Sequence, residues 1–163
     1  MSKRVVGSIF FLAFLLGAQP AVGDVINCGF ETGDFTGWTL SGNNPYPFVA
    51  PNPSNIAGPG HSGGFFAFLA ALPDPGFLSQ TLATTPGTEF ALSFWLRNNA
   101  NGTFEFFRVT WDGNVLLNLV TGAVPGAPYI NFTFNNLLAT QSSTDLRFQF
   151  LADPDHAFSL DDV

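Results

Sequence analysis

The sequence predicts an all-β chain folded as a two-layer antiparallel sandwich, and three observations carry that expectation. After residue 24 the apolar residues recur with a period of two, no stretch of helical length holds a period of 3.6, and the intervening segments are rich in Gly, Pro, Asn and Ser. Alternation makes one face of each strand apolar, and without helices only a second sheet can cover those faces.

The first residues lie outside that pattern. Lys3 and Arg4 precede an uncharged apolar run from Val5 to Ala18, shorter than the roughly 20 residues that cross a bilayer. Pro20 ends the apolar helix, and Ala21-Val22-Gly23 puts small residues before Asp24, where a signal peptidase would cut. Residues 1–23 are therefore read as a secretory signal peptide and residues 24–163 as a single β-sandwich domain. The mature part is expected to be secreted, extracellular or at the cell surface, without a transmembrane anchor.

Strands are expected in order at 25–30, 38–41, 64–70, 77–82, 89–97, 103–111, 114–120, around Ile130 to Phe134, around Leu146 to Phe150, and at 157–163. In 89–97 the residues Phe90, Leu92, Phe94 and Leu96 share one face. In 103–111 the phase slips between Phe106 and Phe107, which suggests a β-bulge. Asp112-Gly113 reads as a hairpin turn. Ile130, Phe132 and Phe134 form an inward row, as do Leu146, Phe148 and Phe150, with Arg147 and Gln149 facing out. The stretch 42–64 is long for a loop and is expected to be a binding loop or to hold a short strand near Phe48.

Lys3 and Arg4 leave with the signal, so Arg97, Arg108 and Arg147 face twelve carboxylates and the net charge falls from −7 to −9. Such a field disfavours nucleic acid and anionic lipid, whereas the oxygen donors suit a hard cation such as calcium. Cys28 is the one cysteine, which excludes an intrachain disulfide, and in an apolar strand it is expected to be buried.

Asn27-Cys28-Gly29-Phe30-Glu31-Thr32-Gly33-Asp34-Phe35-Thr36-Gly37-Trp38 resembles the N-G-x-F-E-x-G-x-F-x-G-W opening of galactose-binding-like β-sandwich domains. Relatives of that kind include carbohydrate-binding modules and secreted bacterial proteins with a C-terminal Pro-Glu-Pro sorting tail. Phe158 to Val163 is similar to their closing F-x-[LI]-D-D-V, and Gly60-His61-Ser62-Gly63-Gly64 sits where they place a G-x-x-S-G segment. Two departures are the Cys28-Gly29 order and the lack of the sorting tail, so anchoring by that route is not claimed. The resemblance implies a jelly-roll, galactose-binding-like sandwich. It also implies a structural calcium tying first strand to last, held by Glu31 and Asp161, with backbone oxygens near Gly33 and Ser62. By residue type alone, Trp38 is expected in the core.

A hydrolase reading is tested by Gly60 to Gly64, which matches G-x-S-x-G, with Asp153 and His156 following. That elbow needs strand, turn and helix, and here a strand is expected after the serine. No catalytic residues are therefore assigned and the domain is expected not to be an enzyme. A carbohydrate-binding module asks for aromatic rings and amides, and the long loop offers Asn43, Asn44, Tyr46 and Phe48, with Trp95, Trp111 and Tyr129 as strand alternatives. The expected partner is a polysaccharide or cell-surface glycan. The alternative is an extracellular surface or matrix domain that contacts protein.

Overall fold

Alternating side chains become register once strands pair. The computed structural model describes residues 23–98, 105–121, 128–155 and 157–163; the signal peptide reading, the start of the expected 103–111 strand and His156 lie outside them. The regular elements among the described residues are ten strands: β1 (Thr39–Gly42), β2 (Phe48–Pro51), β3 (Phe65–Leu69), β4 (Ala71–Ala83), β5 (Glu89–Asn98), β6 (Glu105–Trp111), β7 (Asn114–Thr121), β8 (Ile130–Leu138), β9 (Ser143–Ala152) and β10 (Phe158–Asp161). They make two five-stranded antiparallel sheets, a first in the order β1-β4-β9-β6-β7 and a second in the order β2-β3-β10-β5-β8. This is the two-layer jelly-roll sandwich that the sequence predicts.

The core between the sheets is aromatic. Phe30, Phe94, Phe107, Phe148, Phe150 and Phe158 are fully buried. Phe94 meets Phe148 edge-on at 5.4 Å, and Phe107 meets Phe158 at 5.1 Å across the layers. Burying each such ring contributes about 1.5–3 kcal/mol. Trp38 is in the core, as expected, stacked on Phe30 at 5.7 Å with its indole N–H donated to Asn27 O at 3.2 Å. A smaller cluster of Ala50, Ala57, Phe66, Phe68, Ala70 and Ala157 lies on the outer face of the second sheet.

Four expectations need correction. The segment 25–30 is turns, not strand, because Asn27 and Phe30 take φ of 53° and 58°, left-handed values that turn the chain out of the extended path twice within four residues. Its ends are instead pinned by others: Gln80 bonds both Ile26 N and Ile26 O, and Val163 N donates to Cys28 O. Cys28 is consequently exposed, since a turn has no inward face to bury it. The bulge falls between Val109 and Thr110 on the β7 side, and Phe106 and Phe107 alternate outward and inward without a slip. Ile130 is 54 % exposed at the start of edge strand β8, while Phe132 and Phe134 pack on Phe94.

The hairpin is as expected, with Asp112 at φ 48° and Gly113 at φ 78° joining Trp111 to its partner Asn114. The long 42–64 stretch holds β2 and a small Ser54–Gly58 bridge.

Candidate functional site

Antiparallel pairing places directly opposed residues on one face, so the registers of the first sheet define its surface row by row. One row runs Ser41, Phe77, Gln149, Arg108, Asn118 across all five strands. The next runs Thr39, Ser79, Arg147, Thr110, Val115, and a third holds Leu151, Phe106 and Val120. The rows between them, such as Leu40, Leu78, Phe148, Val109 and Leu117, go to the core, so these three face outward.

The outward rows combine rings with forked donors. Phe77 and Phe106 are half-buried, which fixes each ring in the sheet while leaving part of it in solvent. Arg147 stands over Phe77 and Arg108 over Phe106, each 5.8 Å from the ring centroid. Arg108 Nε donates to Asn118 Oδ1 at 3.1 Å, and Arg147 pairs with Asp145 at 3.0 Å. Two of the three arginines among the described residues thus share this face with the carboxamides of Gln149 and Asn118. Chemically, it offers apolar ring surface beside donors and acceptors set at strand spacing.

The loop residues expected to bind do not gather. Phe48 sits on β2 and packs on Phe68 at 4.9 Å, in the small outer cluster of the second sheet. Asn43 donates from its side chain to Leu72 O and from its backbone to Pro75 O, so it ties the end of β1 to the irregular part of β4. Tyr46 is 43 % exposed between the sheets' edge strands β1 and β2, and Asn44 is half-buried beside it. Of the strand alternatives, Trp111 is core and Trp95 is on the outer face of the second sheet under His61, with ring centroids 3.8 Å apart. Tyr129 meets His61 edge-on at 5.7 Å, and burial pushes its phenol up to about 12.

The residues expected to hold calcium do meet, around the turn at 61–65. Glu31 accepts from Gly64 N through both carboxylate oxygens, at 3.1 and 3.0 Å, and from Phe65 N at 3.3 Å. Gly63 makes the approach feasible: its φ is +57°, and a Cβ there would fall 2.0 Å from Glu31 Oε1. Asp161, fully buried, accepts from His61 N and Ser62 N at 3.0 and 3.1 Å. Asp162 takes Ser62 Oγ at 3.0 Å and His61 Nδ1 at 2.6 Å. Gly33 closes a neighbouring turn onto Phe30 O, against the Phe65 ring. Two chain ends and the loop are therefore clasped by carboxylates on N–H donors. The fit to calcium is partial, because these oxygens already accept hydrogen bonds and, among the described residues, no three His, Cys, Asp or Glu side chains converge as a metal-holding group.

The serine of G-x-S-x-G is engaged in that clasp, donating to Asp162, and strand β3 rather than a helix follows it. Its surroundings lack the strand–turn–helix elbow that hydrolysis by this motif requires.

The outer-face rows were not singled out as a site from the sequence. Arg147 and Gln149 are legible as outward-facing, whereas the expected bulge puts Phe106 on the same face as Phe107; the structure turns Phe106 and Arg108 outward, and the alignment of the rows depends on inter-strand register.

No protein-family model and no curated protein matches the chain. Solved structures do. TmCBM61, in complex with β-1,4-galactotriose, superposes with a TM-score of 0.67 at 18 % identity, covering 86 % of this chain and 94 % of that one. The K3 cleaved adhesin domain of Lys-gingipain from Porphyromonas gingivalis w83 gives 0.59 at 22 %, covering 85 % and 94 %. The CBM22-1 xylan-binding domain of Paenibacillus barcinonensis Xyn10C gives 0.54 at 16 %, covering 86 % and 92 %. At these identities the likeness is one of fold: the chain shares the jelly-roll sandwich of these carbohydrate-binding modules and adhesin domains.

Proposed function

We propose that the mature domain is a secreted, non-catalytic carbohydrate-binding module that holds a polysaccharide or cell-surface glycan on the outer face of the first sheet. The observation that carries this reading is the row Phe77, Gln149, Arg108, Asn118, in which a ring, two carboxamides and a guanidinium stand side by side on rigid strands. A sugar presents C–H faces and hydroxyl pairs, and such a row meets both, through ring contact and through forked hydrogen bonds. Tyr46 and Asn44, in the loop leaving β1, are proposed as outlying contacts.

Affinity electrophoresis through soluble polysaccharides tests this, with β-1,4-galactan and xylan first, because TmCBM61 is seen in complex with β-1,4-galactotriose and the Xyn10C module is a xylan-binding domain. Retardation that is lost in Phe77→Ala or Phe106→Ala, with folding retained, supports the reading. Retardation lost only in Tyr46→Ala would move the site to the loop, and none at all from folded protein would overturn it.

A matrix or protein-contact role is the second reading. It is favoured by the open edges, where β7 exposes Val115 and Val120 and β8 exposes Ile130 and Leu138. Structural calcium at Glu31, Gly33, Ser62 and Asp161 belongs to either reading as a stabiliser of the clasp.

A further inference from the structure

Arg97, the third arginine, lies on the opposite sheet from the other two. Directly across from Ser159 of β10, it is only 7 % exposed. One terminal nitrogen donates to Ala57 O and to Ser159 Oγ, the latter at 3.2 Å, and the guanidinium carbon lies 5.0 Å from the Tyr129 ring centroid. Its Nε has no acceptor, and among the described residues no carboxylate lies within ion-pairing distance. A guanidinium buried in this way has given up its hydration without gaining a counter-charge. Burial accordingly pulls its pKa below the usual arginine value.

The side chain forms the floor of a pocket of about 280 Å³ on the outer face of the second sheet. Ile56, Pro59, Phe68 and Ala157 supply apolar walls, and Asp155 stands at the rim. Gly58 lets the overlying loop close on the charge: at φ +73°, a Cβ there would stand 3.2 and 3.3 Å from the two terminal nitrogens. The planar fork of a guanidinium matches a carboxylate. The walls offer few partners for further hydroxyls or phosphate oxygens, which would go unsatisfied.

We propose that this pocket binds a small monocarboxylate with an apolar body, its carboxylate at Arg97 and its hydrocarbon part against Phe68, Pro59 and Ile56. Two sources share that chemistry, a free carboxylic acid and the C-terminal carboxylate of a peptide ending in an apolar residue. The pocket is on the other sheet from the glycan platform, so failure of one reading leaves the other standing.

The test is a titration of the ¹⁵N-labelled protein followed by amide shifts, using phenylacetate, N-acetylphenylalanine, benzyl alcohol and inorganic phosphate. Saturable shifts at Ala57, Gly58 and Phe68 with either carboxylate are expected, with affinity falling about threefold between about 20 and 200 mM salt. Phenylacetate binding tighter identifies a free acid; N-acetylphenylalanine binding tighter identifies a peptide terminus. Benzyl alcohol should bind at least about tenfold more weakly than phenylacetate, since it lacks the charge. Asp155 at the rim and Ile56 at the outer end of the wall are both exposed, so variants there leave the fold intact. Asp155→Asn should raise carboxylate affinity about twofold and Ile56→Asp lower it about threefold to tenfold. Equal binding of benzyl alcohol or phosphate, rim variants without effect, or no saturable shift from folded protein at about 50 mM phenylacetate, an affinity too weak to matter, would each overturn the proposal.

Discussion

Arg108 and Asn118 face each other across β6 and β7 and are joined by a hydrogen bond of 3.1 Å, with Gln149 of β9 on the other side of the arginine. The bond orients a guanidinium on an open sheet face, where an unrestrained arginine would spread over many rotamers. Arg108→Ala and Asn118→Ala are therefore expected to weaken glycan retention, the first by about tenfold and the second by about threefold, each carrying hydrogen bonds worth about 0.5–1.5 kcal/mol. Melting temperatures of both should stay close to wild type because the side chains are outside the core. Affinity electrophoresis beside thermal unfolding checks both statements, and an unchanged affinity in Arg108→Ala would remove this row from the site.

The clasp at 61–65 can be tested through calcium. Metal-free protein should melt at a lower temperature than protein in millimolar calcium, with about 2.7 kcal/mol of added stability at a hundredfold excess over Kd. The increment should vanish in Glu31→Gln, which keeps the N–H acceptor and removes the charge. Identical melts with and without calcium, from protein stripped of metal, would leave the N–H clasp as the whole of the device.

Burial raises the Asp161 carboxyl from its ordinary value to about 6, against which the backbone N–H donors of Ser62 and His61 act. A raised carboxyl favours the protonated native form, so its stabilising contribution is full below about pH 4 and is lost as pH rises through 6. In chelator, the stability of wild type relative to Asp161→Asn should fall between pH 4 and 7. Chemical denaturation across that range reads it. A gap that instead widens in favour of wild type as pH rises would mean that the ionised carboxylate is the form the fold prefers.

Cys28 is exposed in a turn, so in the native protein it should form a mixed disulfide with a disulfide reagent, freeing one equivalent of the reagent's thiol at the rate of an unhindered thiol. Reaction only after denaturation would place it inside.

Phe148 has no exposed surface and touches Trp38, Phe94 and Phe107 at 5.9, 5.4 and 5.9 Å. Phe148→Ala should cost about 3–5 kcal/mol, read by denaturant unfolding. Leu151→Ala, on the same strand but facing out, should cost far less.

The sequence by itself determined the class of fold, because period-two alternation in runs such as 89–97 is a local property that survives any choice of neighbours. The Asp112-Gly113 hairpin was equally legible, since two positive φ values depend on those residues alone. So was the meeting of Glu31 and Asp161 at one turn, through the resemblance of the two chain ends to a known pair of motifs. Tertiary structure decided the rest. Strand register alone put Phe77, Gln149, Arg108 and Asn118 in one row, from positions as far apart in sequence as 77 and 149. Phe48 came to pack on Phe68, on the outer face of the second sheet, because β2 landed beside β3, and Cys28 came out into solvent because its segment docks through Gln80 and Val163 instead of pairing as a strand. A pattern along the chain tells which side of a strand is apolar. Which strands lie next to one another, and at what offset, is settled by contacts between distant segments.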